Sequence, residues 1–261
     1  ETVNYPGTEF FKQLNMDIPS LMAKYKIPGA VLAVIKNGEL VFTNAYGYAN
    51  VEDGRRMSTY DHFRVESISK SITAWGVMKL VEQGKVNLDT PVVEYLKSWE
   101  FPKSDLSTKA ITVRQLLSHT SGLPLGPIGV RYSPMAQIPS LRESLTQNAL
   151  PGRAPDSHFE YSNVGYHILE LLIEEVTGLS FARYMEREVL TPLGMMHSSF
   201  DWQSSFANNI PTGYDFLSNP VPPYVYPEKA AGGLIATVED IARFVCAGME
   251  NSNVKGNVLN K

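Results

Sequence analysis

The sequence is poor in the residues that disulfide frameworks, zinc sites and nucleic-acid surfaces require. Cys246 is the only cysteine and no H-E-x-x-H motif occurs, so neither a disulfide framework nor a zinc site is indicated. The formal net charge is -4, and no run of lysine or arginine is longer than Arg55-Arg56, which argues against nucleic-acid binding. No apolar run approaches the roughly 20 residues of a membrane span.

What is present is the composition of a globular chain. The 261 residues are 43% hydrophobic and 19% charged, so a sizeable core can be buried in one large domain or two closely associated subdomains. The chain begins at Glu1 without a methionine or a signal-like apolar stretch, which indicates a processed or trimmed form. Two long segments rich in proline and glycine, 122–140 and 210–233, are predicted to form lips of a cleft. Their tyrosines are most simply surface or packing residues, and one or more of them at the rim of the cleft is the alternative: Tyr132, Tyr214, Tyr224 and Tyr226.

Hydrophobic spacing predicts a helix, a β-hairpin and then a mostly helical middle. Apolar residues recur at helical spacing over 9–25. The β-rich runs 30–35 and 40–45 are joined by Asn37-Gly38, which is a strong hairpin signal. Further helices are predicted over 67–83, 113–118, 166–177, 181–190 and from residue 237.

These elements predict a mixed α/β (α+β) fold in a single domain over 1–261. We expect an antiparallel sheet with flanking helices in a subdomain formed by 1–70 and 230–261. Residues 71–229 are expected to form a mostly helical subdomain.

The tetrapeptide Ser67-Ile68-Ser69-Lys70 places a hydroxyl and an amine at the start of a predicted helix. Residues three apart lie about 60° apart around a helix, so the two groups share one face and can exchange a proton. Serine is a weak nucleophile at neutral pH and needs a base, and a desolvated lysine can lose enough pKa to serve. Because S-x-x-K is a common pattern, a helix-capping serine followed by a solvated lysine is the alternative.

A second candidate element, Tyr161-Ser162-Asn163, precedes the predicted helix 166–177. A phenol beside the serine and lysine could share their proton as an acid or a base, and Asn163 could orient the lysine or bind a substrate amide. Tyr161 could instead be a core residue with a satisfied hydroxyl, and Asn163 could be the N-cap of the helix. Together Ser67, Lys70 and Tyr161 predict a proton relay.

At this point the chain resembles the serine β-lactamase-like family, which includes class C β-lactamases, D-alanyl-D-alanine carboxypeptidases and family VIII esterases. The resemblance runs from about Pro28 to Phe244. It rests on FRVESISKS at 63–71, LVEQGKVNLD at 80–89, ITVRQLLSHTSGL at 111–123, FEYSN at 159–163, PLGM at 192–195 and AGGL at 231–234. So many ordered segments are far more specific than either motif alone.

The resemblance implies a β-lactamase/transpeptidase-like fold and roles for the site residues. Ser67 is then the acylated nucleophile, Lys70 and Tyr161 transfer the proton, and Asn163 contacts the substrate or the lysine. The backbone N–H of Ser67 would be one oxyanion donor, and a late strand would supply the second.

The implied function is that of a serine hydrolase that forms a covalent acyl-enzyme. Its substrate would be a β-lactam, a D-amino-acid peptide or a small ester. No metal or organic cofactor is implied. The implied location is extracytoplasmic, either periplasmic or secreted.

The sequence departs from the family pattern at the third motif. Family members carry Lys-Thr-Gly or a His-x-Gly variant on a strand well after the segment that matches 231–244, and no such motif occurs before Lys261. The pair Lys255-Gly256 lies in the polar tail 250–261, which shows no strand or core signal. We expect that the chain as given lacks the C-terminal strands or that another segment supplies them, with a naturally short protein as the remaining alternative.

This departure leaves a second function open. A penicillin-binding sensor that is acylated once without turnover, or a catalytically inactive domain of the same fold, would also fit the missing motif. A structural scaffold would show no acylation at all.

Two polar residues near the motifs have alternative interpretations. Nothing in the sequence places His119 beside Ser67, and its Thr-Ser-Gly setting is typical of a structural turn. Glu66 precedes the nucleophile where many relatives have a small residue. If buried, it would raise the pKa of the lysine, and an outward-facing side chain is the alternative.

Overall fold

The computed structural model describes residues 7–127, 130–249 and 258–259. The chain divides into two compact units. The first comprises Glu1–Phe63, Ser204–Pro222 and Thr237–Val254, and the second comprises Arg64–Gln203, Pro223–Ala236 and Lys255–Lys261. Each unit is therefore built from segments that are distant in sequence.

The helices and strands follow most of the predicted pattern. The helices are α1 (Gly7–Tyr25), α2 (Ile68–Glu82), α3 (Val113–Leu117), α4 (Leu141–Asn148), α5 (Asn163–Thr177), α6 (Phe181–Met185, continued by a π-helical turn over Glu186–Leu190) and α7 (Val238–Ala247). The strands are β1 (Gly29–Lys36), β2 (Glu39–Asn50), β3 (Arg55–Arg56), β4 (Phe63–Arg64), β5 (Gly213–Tyr214), β6 (Pro220–Val221) and β7 (Ile235–Ala236).

The first unit contains an antiparallel sheet in the order β1-β2-β3. Asn37 and Gly38 connect β1 to β2 with φ values of 52° and 79°, the left-handed conformation that an Asn-Gly turn adopts readily. Both α1 and α7 pack on this sheet. The ring of Phe11 on α1 stacks on that of Phe42 at a centroid distance of 4.6 Å. The predicted hairpin and its flanking helices are thus confirmed.

The second unit is organised around α5. All its residues from Val164 to Ile173 are buried, and α2, α3, α4 and α6 pack against it. Its sequence is apolar on most faces, which is typical of a helix enclosed by other helices. Gly178, with a φ of 69°, ends α5 in the left-handed conformation that glycine adopts at low cost.

The predicted fold class is confirmed. The described residues form short antiparallel sheets with flanking helices and a mostly helical part. None of the helices in the described ranges is long and apolar enough to span a bilayer.

The N-terminus of α5 differs from one interpretation of the sequence. Ser162, rather than Asn163, is the N-cap. Its hydroxyl accepts a hydrogen bond from the N–H of Gly165 at 2.9 Å and donates one to the carbonyl of Pro124 at 2.7 Å. A serine with both partners satisfies the helix end and a loop carbonyl together, which Asn163 one residue later does not do.

The C-terminal tail also differs from the expectation at one residue. Most of 250–261, including Lys255-Gly256, lies outside the described residues. Val258 is buried, and its carbonyl accepts a hydrogen bond from the Lys79 amine at 2.7 Å. The statement that this tail has no core signal is therefore wrong at Val258.

Candidate active site

Ser67 lies immediately before α2, and Lys70 lies in the first turn of that helix. The Ser67 hydroxyl makes no capping hydrogen bond to the helix. Instead, the Lys70 Nζ lies 3.1 Å from the Ser67 Oγ. The capping alternative for this serine is therefore wrong, and the hydroxyl and the amine are in contact.

The amine of Lys70 is enclosed. Only 5% of the residue is exposed, and Nζ also donates a 2.6 Å hydrogen bond to the carbonyl of Ala231. Burial lowers the pKa of Lys70 below its ordinary value, while Tyr161 and Glu66 act in the opposite direction. The net effect favours the neutral amine, the form that can accept a proton from serine.

The carbonyl that binds Lys70 belongs to a segment anchored by α5. One carboxyl oxygen of Glu170 accepts hydrogen bonds from the N–H groups of Lys229 and Ala230 at 2.6 and 2.8 Å. The Thr73 hydroxyl donates to the carbonyl of Ala230 at 2.9 Å. Burial raises the pKa of Glu170 to about 8. These contacts fix the position from which the neighbouring Ala231 carbonyl orients the lysine.

Tyr161 lies against both Lys70 and His119. The Lys70 Nζ is 5.0 Å from the centroid of the tyrosine ring, and the His119 ring stacks on the same ring at 4.5 Å. The Nδ1 of His119 accepts a 3.1 Å hydrogen bond from the N–H of Ser162, and burial lowers the pKa of the imidazole. His119 therefore positions Tyr161 and Ser162, and the lone pair of its Nδ1 is already used by the N–H of Ser162.

Asn163 is the first residue of α5. Its backbone N–H donates to the carbonyl of Leu125 at 3.1 Å. Asn163 lines a cavity of about 560 Å³ together with Ser67 and Tyr161. The structure therefore brings all four predicted site residues together: three line the cavity, and Lys70 contacts Ser67.

The cavity has further polar residues that the sequence motifs did not identify. Glu66 lines it with a half-buried carboxylate, and Glu228 and His167 line it with buried side chains. His167 follows Asn163 by four residues, so helical spacing alone places it on the same face of α5. Glu66 adjoins Ser67 in sequence, but no local pattern links Glu228 to the motifs.

The candidate rim tyrosines lie in different places. Tyr132 and Tyr226 line the cavity, and the hydroxyls of Tyr224 and Tyr226 both donate to Glu66. Tyr214 belongs to the first unit, where its hydroxyl donates to the Glu52 carboxylate at 2.6 Å. Within the described ranges, no group of three or more histidine, cysteine, aspartate or glutamate side chains is arranged to hold a metal ion.

The sequence profile of the beta-lactamase family matches residues 15–261. The chain belongs to this family. The profile covers both units and includes the whole candidate site. The predicted family resemblance is thereby confirmed.

Three relatives are 25–27% identical to this chain over the aligned residues. The protein named flp from Staphylococcus aureus (strain MRSA252) is 27% identical over 242 residues, which cover 90% of this chain and 48% of that protein. A solved class C beta-lactamase is 26% identical with a TM-score of 0.79, over 98% of this chain and 69% of its own. The D-alanine carboxypeptidase AmpC from Burkholderia cenocepacia is 25% identical with a TM-score of 0.78, over 96% of this chain and 67% of its own. The chain spans about half the length of the curated relatives it matches.

Proposed function

We propose that this chain acts as a serine hydrolase through a covalent acyl-enzyme. The observation that carries the proposal is the 3.1 Å contact between the Ser67 hydroxyl and the enclosed amine of Lys70, whose pKa is lowered by burial. A nucleophile in contact with a base of this kind is the minimum that acyl transfer by serine requires.

The proposed reaction has two stages. The Ser67 Oγ attacks the carbonyl carbon, its proton passes to Lys70 with Tyr161 as partner, and the C–N or C–O bond of the substrate breaks as the leaving group takes up that proton. Water then attacks the ester carbonyl, the acid product leaves, and Ser67 regains a proton. Asn163 would contact the substrate from the wall of the cavity.

The backbone N–H of Ser67 is available as an oxyanion donor. Among the described groups it has no hydrogen-bond acceptor, whereas the next three N–H groups donate to the carbonyls of 65, 66 and 67. A donor N–H next to the attacking oxygen stabilises the charge that develops on the substrate carbonyl.

The proposed substrates are a β-lactam, a D-amino-acid peptide or a small ester. Structural likeness to a class C beta-lactamase and to a D-alanine carboxypeptidase supports the first two. The cavity of about 560 Å³ is of the size that small-molecule sites have. An extracytoplasmic location belongs to the same proposal and rests on the family.

A penicillin-binding sensor is the second candidate function. Similarity to penicillin-binding protein 4* from Bacillus subtilis, which is 30% identical over 189 residues, supports it. A domain of this kind would be acylated and then hydrolysed slowly. Burst kinetics without a steady state would identify this behaviour.

Intact-mass spectrometry tests the proposal directly. The chain is exposed to a penicillin and, separately, to a short-chain aryl ester, and the mass of one acyl group is expected on the wild type. Ser67→Ala should remove the adduct, while Ser71→Ala, an exposed serine one turn further along α2, should leave it unchanged. A stable adduct that survives Ser67→Ala would refute the nucleophile assignment.

A further inference from the structure

The cavity beside Ser67 has an acidic lining. Two of its residues, Glu66 and Glu228, carry carboxyl groups, and none of the described lining residues is a lysine or an arginine. Burial lowers the pKa of His167 in this lining to about 3, so its imidazole is neutral near pH 7. The nearby amine of Lys70 is also shifted by burial toward its neutral form. Burial also raises the pKa of the Glu228 carboxyl, so the half-buried carboxylate of Glu66 is the group of this lining that attracts cations.

Glu66 presents a fixed carboxylate next to the nucleophile. The hydroxyls of Tyr224 and Tyr226 donate to its two oxygens at 2.8 and 3.2 Å. A carboxylate has about four acceptor sites, so this side chain retains capacity for another donor. Its backbone has a φ of 45°, a left-handed conformation that is unfavourable for a glutamate. The structure thus holds an acceptor group in place beside Ser67.

The neighbouring arginines support this arrangement from outside the cavity. The guanidinium carbons of Arg64 and Arg131 lie 4.1 and 4.4 Å from the centroid of the Tyr224 ring. Neither arginine lines the cavity. Both cations therefore stabilise the tyrosine that holds Glu66. Arg64 also attracts the Glu66 charge, but the hydrogen bonds described for this carboxylate come from the two tyrosines.

A second, independent observation lies deeper in the cavity. His167 is 5% exposed, and its Nδ1 has no hydrogen-bond partner among the described residues. A buried polar atom without a partner is costly, and a neutral imidazole offers one acceptor nitrogen. The buried carboxyl of Glu228, which lines the same cavity, accepts a hydrogen bond from the Ser144 hydroxyl. The cavity is rich in acceptors, so a ligand rich in donors complements it.

We infer that the cavity selects substrates whose acyl group carries a cationic amino group, and that the Glu66 carboxylate binds this group beside the carbonyl that Ser67 attacks. The inference rests on the proposed function, because it names the substrate class of the same site. In an amino-acid ester or peptide this amino group is on the carbon next to the attacked carbonyl, and in a penicillin with an α-amino side chain it lies one amide bond further away. Glu66 and Ser67 line the same cavity of about 560 Å³, so the carboxylate can contact an amino group at either position.

A matched pair of penicillins tests the inference. Ampicillin and benzylpenicillin differ in that ampicillin carries an α-amino group on its side chain, and both carry the same ring carboxylate. The second-order acylation constant is measured by intact mass at pH about 6, below the ordinary α-amino pKa of about 7.7. The wild type should favour ampicillin roughly tenfold, as expected for a charge-assisted contact. N-acetylated ampicillin, which has no cationic amine, should lose the advantage.

Substitutions assign the effect to one side chain. Glu66→Gln keeps one acceptor oxygen for one of the two tyrosines, and its NH2 group can donate to the hydroxyl oxygen of the other. It should reduce the preference to about onefold, while Glu66→Asp should restore part of it. Glu100→Gln removes the same charge from an exposed site outside the cavity and should keep the tenfold preference. If Glu66 only supported Tyr224 and Tyr226, its substitution would change the acylation constants of both penicillins by the same factor. Equal acylation of the two by the wild type, or loss of the preference in Glu228→Gln instead of Glu66→Gln, would overturn the inference.

Equilibrium binding separates this inference from the proposed function. If neither the penicillins nor the aryl ester acylate the wild type, the proposed function fails. Calorimetry with Ser67→Ala then still measures whether the cavity prefers the cationic amino group. Tighter binding of ampicillin than of benzylpenicillin, abolished by adding Glu66→Gln, supports the inference. Equal binding of both compounds refutes it. If Glu66→Gln slows acylation by both penicillins, the same comparison of binding affinities in the Ser67→Ala background decides the inference.

Discussion

Glu170→Gln should remove part of the loss of stability that we expect for this protein as the pH rises toward 8. The pKa of Glu170 is raised by burial from 4.5 to about 8. Between these values the native state retains a proton that the unfolded chain has released. Stability therefore falls as pH rises through this window, by at most about 1.4 kcal/mol per pH unit for one group.

His167 has the opposite effect over a different range. Its pKa is lowered by burial from 6.5 to about 3, so the unfolded chain binds a proton that the native state does not. This contribution makes stability rise with pH up to 6.5. The two effects oppose each other between pH 4.5 and 6.5. Above pH 6.5 only the effect of Glu170 continues. Between pH 6.5 and 8 it lowers the free energy of unfolding by about 2 kcal/mol.

The structure indicates why glutamine is the appropriate substitution. Both backbone N–H groups that contact Glu170 donate to the same carboxyl oxygen, so the amide oxygen of glutamine can accept both. The variant thus resembles the protonated acid and should match the wild type below pH 4.5, where the carboxyl is protonated in both states. Between pH 6.5 and 8 its advantage in free energy of unfolding should grow by about 2 kcal/mol.

Urea unfolding followed by circular dichroism between pH 4 and 8.5 provides the measurement. Glu100→Gln, an exposed glutamate, is the control for loss of charge and should follow the wild-type curve. An alkaline decline in Glu170→Gln as steep as in the wild type would refute the reasoning. So would a wild-type stability that rises between pH 6.5 and 8.

Two further substitutions test the site. Lys70→Arg replaces the amine with a guanidinium group that does not lose its proton, so the rate of acylation should fall by roughly 10²-fold or more. Lys85→Arg, on an exposed residue, should not change this rate. Mass spectrometry measures acylation of both variants. Gly233→Ala would place a Cβ 2.7 Å from the Cα of Lys229 and displace the segment whose carbonyl binds the lysine amine. Both the thermal midpoint and the rate of acylation should therefore fall. Gly152→Ala, whose Cβ would meet nothing within 4 Å, should change neither quantity. Wild-type values of both quantities in Gly233→Ala would contradict the role of that segment.

Local patterns predicted the elements that depend on neighbours in sequence. The Asn37-Gly38 turn and its two strands follow from side-chain alternation and from a dipeptide that tolerates positive φ. The start of α2 places Ser67 and Lys70 in contact because helical spacing does so in any fold. These features need no knowledge of tertiary structure.

Contacts between distant residues could not be predicted in the same way. Ala231, which accepts the Lys70 hydrogen bond, lies 161 residues after the lysine, and the two tyrosines that hold Glu66 lie 158 and 160 residues after it. Either Ser162 or Asn163 is a favourable N-cap by residue type, and the carbonyl of Pro124 is the tertiary contact that selects the serine.

One helix connects the attacking pair to the cavity that surrounds it. Tyr161 and Asn163 lie at the N-terminal end of α5, His167 contributes to the cavity wall about one turn later, and Glu170 anchors the segment that orients the Lys70 amine. A shift of α5 would therefore alter the base, the phenol and the substrate wall together.

The proposed recognition of an amino group also affects the base. The Glu66 carboxylate raises the pKa of Lys70 against the larger effect of burial. A cationic amine bound to Glu66 would offset this charge and shift the lysine further toward its neutral form. Binding of the preferred substrate would then prepare the amine that removes the proton from Ser67. Selection and activation would depend on the same carboxylate.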